Sequence, residues 1–133
     1  MYVLFREDII NSKDIAKIIN EETPFRVETD LSKASKRDDV MSFKLSIPVK
    51  SLDSGISFDW ENDELTEKCF SMAESLTKDL LKYFPKYTIQ CSQVYKWDEL
   101  EDRIHLVVVI ANIDIKLKKL KLDILKRMMK QVD

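Results

Sequence analysis

Hydrophobic positions along the chain recur at two periods, and the places where the period changes predict its elements. The longest helical run is NDELTEKCFSMAESLTKDLLKYF, Asn62 to Phe84, in which Leu65, Cys69, Met72, Ala73, Leu76, Leu80 and Phe84 fall at steps of three and four on one face. Asn62 or Asp63 can cap its first amides, and Glu64 and Glu67 place negative charge at the positive end of the helix dipole. Pro85 stops it, because proline disfavours helical geometry in the residue before it and supplies no amide hydrogen. A second helix is predicted from Asn11 or Ser12 to Glu22 on the stripe Ile15, Ile18 and Ile19, closed by Thr23-Pro24. A third runs from about Asp114 to Val132, with Leu117, Leu120, Ile124 and Met128 on one face, widened by Leu122, Leu125 and Met129.

Elsewhere the period is two. Phe25, Val27, Thr29 and Leu31 alternate with Arg26, Glu28 and Asp30, and Met41, Phe43, Leu45, Ile47 and Val49 alternate with Ser42, Lys44, Ser46 and Pro48. Pro48 puts the far end of that second strand at an edge or out of the sheet. Tyr87, Ile89 and Cys91 begin another strand that can continue to Trp97, and Tyr2 to Phe5 is a short apolar run suited to a first strand. Arg103 to Asn112 holds LVVVIA, β-branched and apolar on both faces, the pattern of a central strand. Ser32 to Asp39, Ser51 to Asp63 and WDELEDR are polar connections.

The order is therefore roughly β-α-β-β-α-β-β-α. It predicts a single α+β domain over residues 1–133, a two-layer sandwich with a mainly antiparallel four- to five-stranded sheet and helices on one face. The first six elements suffice for a ferredoxin-like βαββαβ core, with a final strand and helix appended.

Composition narrows the function classes. Gly55 is the only glycine, which argues against a phosphate-cradling loop. Cys69 and Cys91 form no CxxC pair and are expected as buried thiols. The opening MYVLFREDII lacks the basic flank and apolar core of a signal peptide, and no apolar run approaches the ~20 residues needed to cross a bilayer, so a cytoplasmic location is expected. Net charge is −2 but unevenly spread: from Lys116 onward seven Lys or Arg face two Asp, leaving 15 positive and 22 negative residues in the rest.

Candidate chemistry is sparse. His105, the only histidine, lies in the apolar strand and is expected as a satisfied or edge-facing residue. No nucleophile, zinc, Walker or dinucleotide motif occurs, so no catalytic residue, cofactor or metal is assigned and a non-enzymatic role is expected. A Mg²⁺-dependent nuclease would need Asp114 and Lys116 to meet Asp98, Glu99, Glu101 or Asp102, yet these flank opposite ends of one strand. Asp114 serves more simply as a helix N-cap.

Two surfaces remain. Between Ser57 and Asp102 eleven Asp or Glu outnumber five Lys, interleaved with aromatics. Phe58, Asp59, Trp60, Glu61, Tyr95, Trp97, Asp98 and Glu99 would make an acidic, aromatic face for a basic protein partner, as an inhibitor, immunity or adaptor protein would use. Alternatively, Lys116, Lys118, Lys119, Lys121, Lys126, Arg127 and Lys130 would bind nucleic acid or another anion, or form only a solvated helix face. The wide apolar stripe beneath them also suits a homodimer.

Overall fold

A computed structural model describes residues 1–53, 55 and 61–132. The chain is α+β, an antiparallel sheet packed against helices, which lie on both of its faces rather than on one as expected. In order it comprises β1 (Tyr2–Phe5), β2 (Asp8–Asn11), α1 (Ser12–Glu22), β3 (Arg26–Asp30), β4 (Val40–Pro48), α2 (Val49–Leu52), α3 (Asp63–Leu76), β5 (Thr88–Asp98), β6 (Arg103–Asn112) and a C-terminal helix.

Caps form where side chains of the right type precede a helix. Asn11 accepts the Lys13 N–H at 3.0 Å ahead of α1, and Asn62 accepts the Leu65 N–H at 3.0 Å ahead of α3. Beyond Leu76 the chain tightens into a 3₁₀ helix, Thr77–Tyr83, and Phe84 turns extended before Pro85. The long predicted helix is thus α for two thirds of its length and 3₁₀ for the rest.

The main sheet has the order β3-β4-β6-β5, every pair antiparallel. Phe43 faces Val108 and Leu45 faces Leu106 across the two central strands. On that face Met41, Phe43, Leu45, Ile47, Ile104, Leu106, Val108 and Ile110 are fully buried beneath Ile15 and Ile19 of α1 and Cys69 and Ala73 of α3. The opposite face is apolar at one end only. There Val40, Val107, Val109 and Ala111 pack under Leu120, Ile124, Leu125 and Met128 of the C-terminal helix. That helix is built of three consecutive pieces, Leu117–Lys119, Leu120–Ile124 with π-type bonding, and Leu125–Met129.

The first strand departs from the ferredoxin-like expectation. Arg6, in the left-handed region at φ 56°, turns the chain so that β1 pairs at once with β2, a strand that the hydrophobic pattern does not predict. The other edge of β1 is taken by the loop ahead of β4, through Leu4 N–H to Asp38 O at 2.7 Å. With its partners supplied locally, β1 forms a separate two-stranded sheet and the βαββαβ core is not built.

The outer edges of the main sheet are blunted by side chains. The Val27 N–H of β3 donates to Asn20 Oδ1 at 2.8 Å, and the Val94 N–H of β5 donates to Glu74 Oε1 at 3.1 Å. Each bond satisfies an amide that would otherwise template pairing with another chain.

Candidate functional site

The acidic run WDELEDR closes the hairpin between β5 and β6, whose pairing ends at Asp98 opposite Arg103. Asp98 Oδ1 accepts the N–H groups of Leu100 at 3.0 Å and Glu101 at 3.2 Å, an Asx turn in which the carboxylate stands in for a backbone acceptor. Asp102 sits in the left-handed region at φ 52°, which aspartate tolerates better than most residues. Its carboxylate accepts the Trp97 indole N–H at 2.9 Å, and its carbonyl accepts the Val49 N–H of α2 at 3.0 Å. Glu101 pairs with Arg26 of β3 at 3.2 Å. The turn is thereby tied to β5, α2 and β3.

At the tip of this braced turn Leu100 is 98% exposed. Single exposed leucines are common on protein surfaces and need no explanation alone. What distinguishes Leu100 is its support, since its backbone is already ordered and its neighbours Asp98, Glu99, Glu101 and Asp102 are all carboxylates. An apolar knob with an anionic rim suits an apolar pocket with a cationic one. Burying such a side chain in a partner is worth about 1.5–3 kcal/mol, with little ordering cost left to oppose it.

The electrostatics around the turn are largely internal pairs. Arg26 is held above its ordinary pKa, first by its hydrogen bond to Glu28 and then by Glu101. Burial pushes Glu28 up, but hydrogen bonds from Ser46 and Arg26 outweigh it and its carboxyl lies below the usual value. Asp98 and Glu99 have no ion-pair partner among the described residues.

The other residues singled out by the sequence fall in several places. A register shift between Val94 and Lys96 makes Tyr95 the extra residue of a bulge. Trp97 consequently packs with the core under α1 and α3, whereas Tyr95 faces the opposite side, beside the C-terminal helix. The two aromatics do not share one surface. Trp97, Asp98 and Glu99 remain together on the turn, and Glu61 is exposed just before the α3 cap. Phe58, Asp59 and Trp60 lie outside the described residues.

Lys116, Lys118, Lys119, Lys121, Lys126, Arg127 and Lys130 are all exposed. Arg127 pairs with Asp123 at 3.1 Å one turn earlier. Of the apolar stripe beneath them, Leu120, Ile124, Leu125 and Met128 are buried against the sheet, leaving Leu117 and Leu122 half exposed. Asp114 is not the helix N-cap expected of it. Asn112 accepts the Asp114 N–H instead, and the Asp114 carboxylate makes a two-bond pair with Arg6, each bond 3.1 Å. Asp114 and the 98–102 turn lie at opposite ends of β6, about 30 Å apart at ~3.3 Å per residue. Among the described residues no group of three or more His, Cys, Asp or Glu is placed to hold a metal ion.

His105 also differs from expectation. It is 6% exposed in the middle of the sheet, and neither ring nitrogen meets a hydrogen-bond partner among the described residues. The expectation of a satisfied or edge-facing histidine rested on its place in an apolar strand, which does not reveal what faces it across the sheet. Its cross-strand neighbours are Ser46 and Lys96. Leu100 itself was missed, although one signal was present: a lone aliphatic residue inside an otherwise acidic turn.

No protein-family model, curated protein or solved structure matches the chain.

Proposed function

We propose that this protein is a small, non-enzymatic, cytoplasmic protein-interaction module of the inhibitor or adaptor kind. It presents the Asp98–Asp102 turn to a partner whose surface carries an apolar pocket rimmed by Lys or Arg. The observation that carries this reading is the 98% exposure of Leu100 on a turn anchored to three other elements. A pre-ordered tip with an aliphatic anchor and a carboxylate rim combines low ordering cost, a central apolar contact and electrostatic steering. Two free thiols and no disulfide among the described residues accord with a reducing compartment.

The test is photocrosslinking from position 100. A benzophenone amino acid replaces Leu100, and capture from native extract is repeated with nuclease treatment and with Leu100→Ser as competitor. A single protein crosslinked at that position, unaffected by nuclease and not competed by Leu100→Ser, supports the reading. Equal competition by Leu100→Ser and wild type rejects it.

A second reading, association with nucleic acid through the C-terminal helix, is favoured by the exposure of all seven of its cations while its apolar stripe faces the sheet. Binding of that kind weakens steeply with salt, whereas an interface centred on Leu100 is less sensitive.

A further inference from the structure

Beyond the apolar patch that the C-terminal helix covers, the same face of the sheet turns polar around His105. Ser46 and Lys96 flank His105 on the neighbouring strands, and Lys44 lies one pair further along, opposite Val107. Tyr95 brings its ring centroid to 6.2 Å from that of the imidazole, and the ammonium groups of Lys44 and Lys96 each stand 6.0 Å from the tyrosine centroid. Arg103 donates to Ser46 Oγ at 2.9 Å and to Ser46 O at 3.2 Å. Arg26 is matched by Glu28 and Glu101, but Lys44, Lys96 and Arg103 have no carboxylate partner among the described residues. Three cations with no carboxylate in ion-pair contact thus lie near a buried imidazole with both nitrogens unpartnered, while Glu28, bonded by Ser46, and Asp98 stand further off.

We infer that this polar half-face binds a phosphate-bearing anion, with Lys44, Lys96 and Arg103 meeting its charge and one phosphate oxygen accepting the N–H of His105. The flexible stems of Lys44 and Lys96 allow them to swing onto an incoming oxygen. Charge-assisted bonds of this kind are the stronger class of hydrogen bond. His105 is depressed first by burial, then by Lys96 and Lys44, with Glu28 and Asp98 opposing; Arg103 is depressed first by burial and then by Arg26, with Glu28 and Glu101 opposing. The site adjoins the 98–102 turn through the Asp98–Arg103 pair, but the inference does not depend on the reading given to that turn.

Because His105 is the only histidine, its imidazole resonances are unambiguous in a proton-detected NMR titration. Inorganic phosphate, adenosine monophosphate and a short oligothymidylate are each added at fixed pH, with sodium chloride matching ionic strength. The expected result is a saturable shift of the imidazole resonances that sodium chloride does not reproduce, and a rise in the His105 titration midpoint. Lys44→Gln combined with Lys96→Gln weakens it by about tenfold or more, the loss expected for charge-assisted contacts. Saturation by all three probes assigns the site to phosphate itself. Saturation by the monophosphate but not by inorganic phosphate adds the base as a determinant, and saturation by the oligonucleotide alone assigns it to a strand. Imidazole resonances unmoved by all three probes, as when water alone satisfies the ring, overturn the inference. Shifts unchanged in the double variant do so as well. Lys96→Gln alone serves if the double variant does not fold.

Discussion

Trp97 donates its indole N–H to Asp102 Oδ1 at 2.9 Å, a bond that spans the acidic turn and joins its two ends. Asp102 also holds a left-handed backbone conformation and accepts the first amide of α2. Asp102→Ala loses the bond and the short polar side chain that helps aspartate tolerate the left-handed conformation, so it is expected to cost about 1–3 kcal/mol. Asp102→Asn keeps the acceptor and tolerates the conformation, and should cost clearly less. Urea unfolding of both variants, with Trp97 fluorescence read in a Trp60→Phe background, checks the order. Equal losses for the two variants would show that neither the bond nor the backbone conformation matters.

Leu100→Ser separates function from stability. The side chain touches almost nothing in the folded chain, so its loss should alter unfolding free energy by no more than about 0.5 kcal/mol. Partner capture should nevertheless fall sharply. A substantial drop in thermal midpoint for this variant would mean that the tip supports the fold, contrary to its exposure.

The thiols should be inert in the native protein. Burial pushes Cys91 up to about 12, with Lys121 pulling weakly the other way, and burial also raises Cys69. The nucleophile is the thiolate, so at about pH 8 only about one Cys91 in ten thousand is reactive at any instant. An aromatic disulfide reagent should label both residues slowly in buffer and rapidly in guanidinium. Cys69 is buried as expected and Cys91 only half-buried, so fast labelling of Cys91 in buffer would contradict its raised pKa.

Much of this architecture was legible in the residue pattern. The alternation Met41 to Val49 gave β4 and its buried face, and LVVVIA gave the central β6 with both faces covered. The capping of α3 by Asn62 followed from local chemistry, as did the end of helical backbone ahead of Pro85, but the change from α to 3₁₀ after Leu76 carried no proline or glycine to announce it. The β1–β2 hairpin was not legible, because its reversal uses Arg6 at positive φ, where a sequence reader looks for Gly or Asn. The separation of Tyr95 from Trp97 was hidden for a related reason. Strict alternation puts residues two apart on one face, and only the paired register reveals the bulge that breaks the rule. Asp114 was misread because a helix cap is a local inference, whereas its partner Arg6 comes from the far end of the chain.

His105 should leave a signature in the pH dependence of stability. Its folded pKa lies below the unfolded value of 6.5 through burial first, then Lys96; Lys44 adds to the depression, while Glu28 and Asp98 oppose it. The folded state therefore holds this proton more weakly than the unfolded chain. Stability is intact above about pH 6.5 and declines as pH falls through the folded pKa, since unfolding then takes up a proton. Glu28 and Asp39, both lowered in the folded state, also favour unfolding on acidification, but only near and below their ordinary values of 4.5 and 3.8. The two windows are separable. His105→Gln should flatten the decline in urea midpoint between about pH 7 and pH 5 and leave the steeper acid limb in place. Superimposable profiles for wild type and His105→Gln across the upper window would show that the imidazole titrates alike in both states, which its burial beside two lysines argues against.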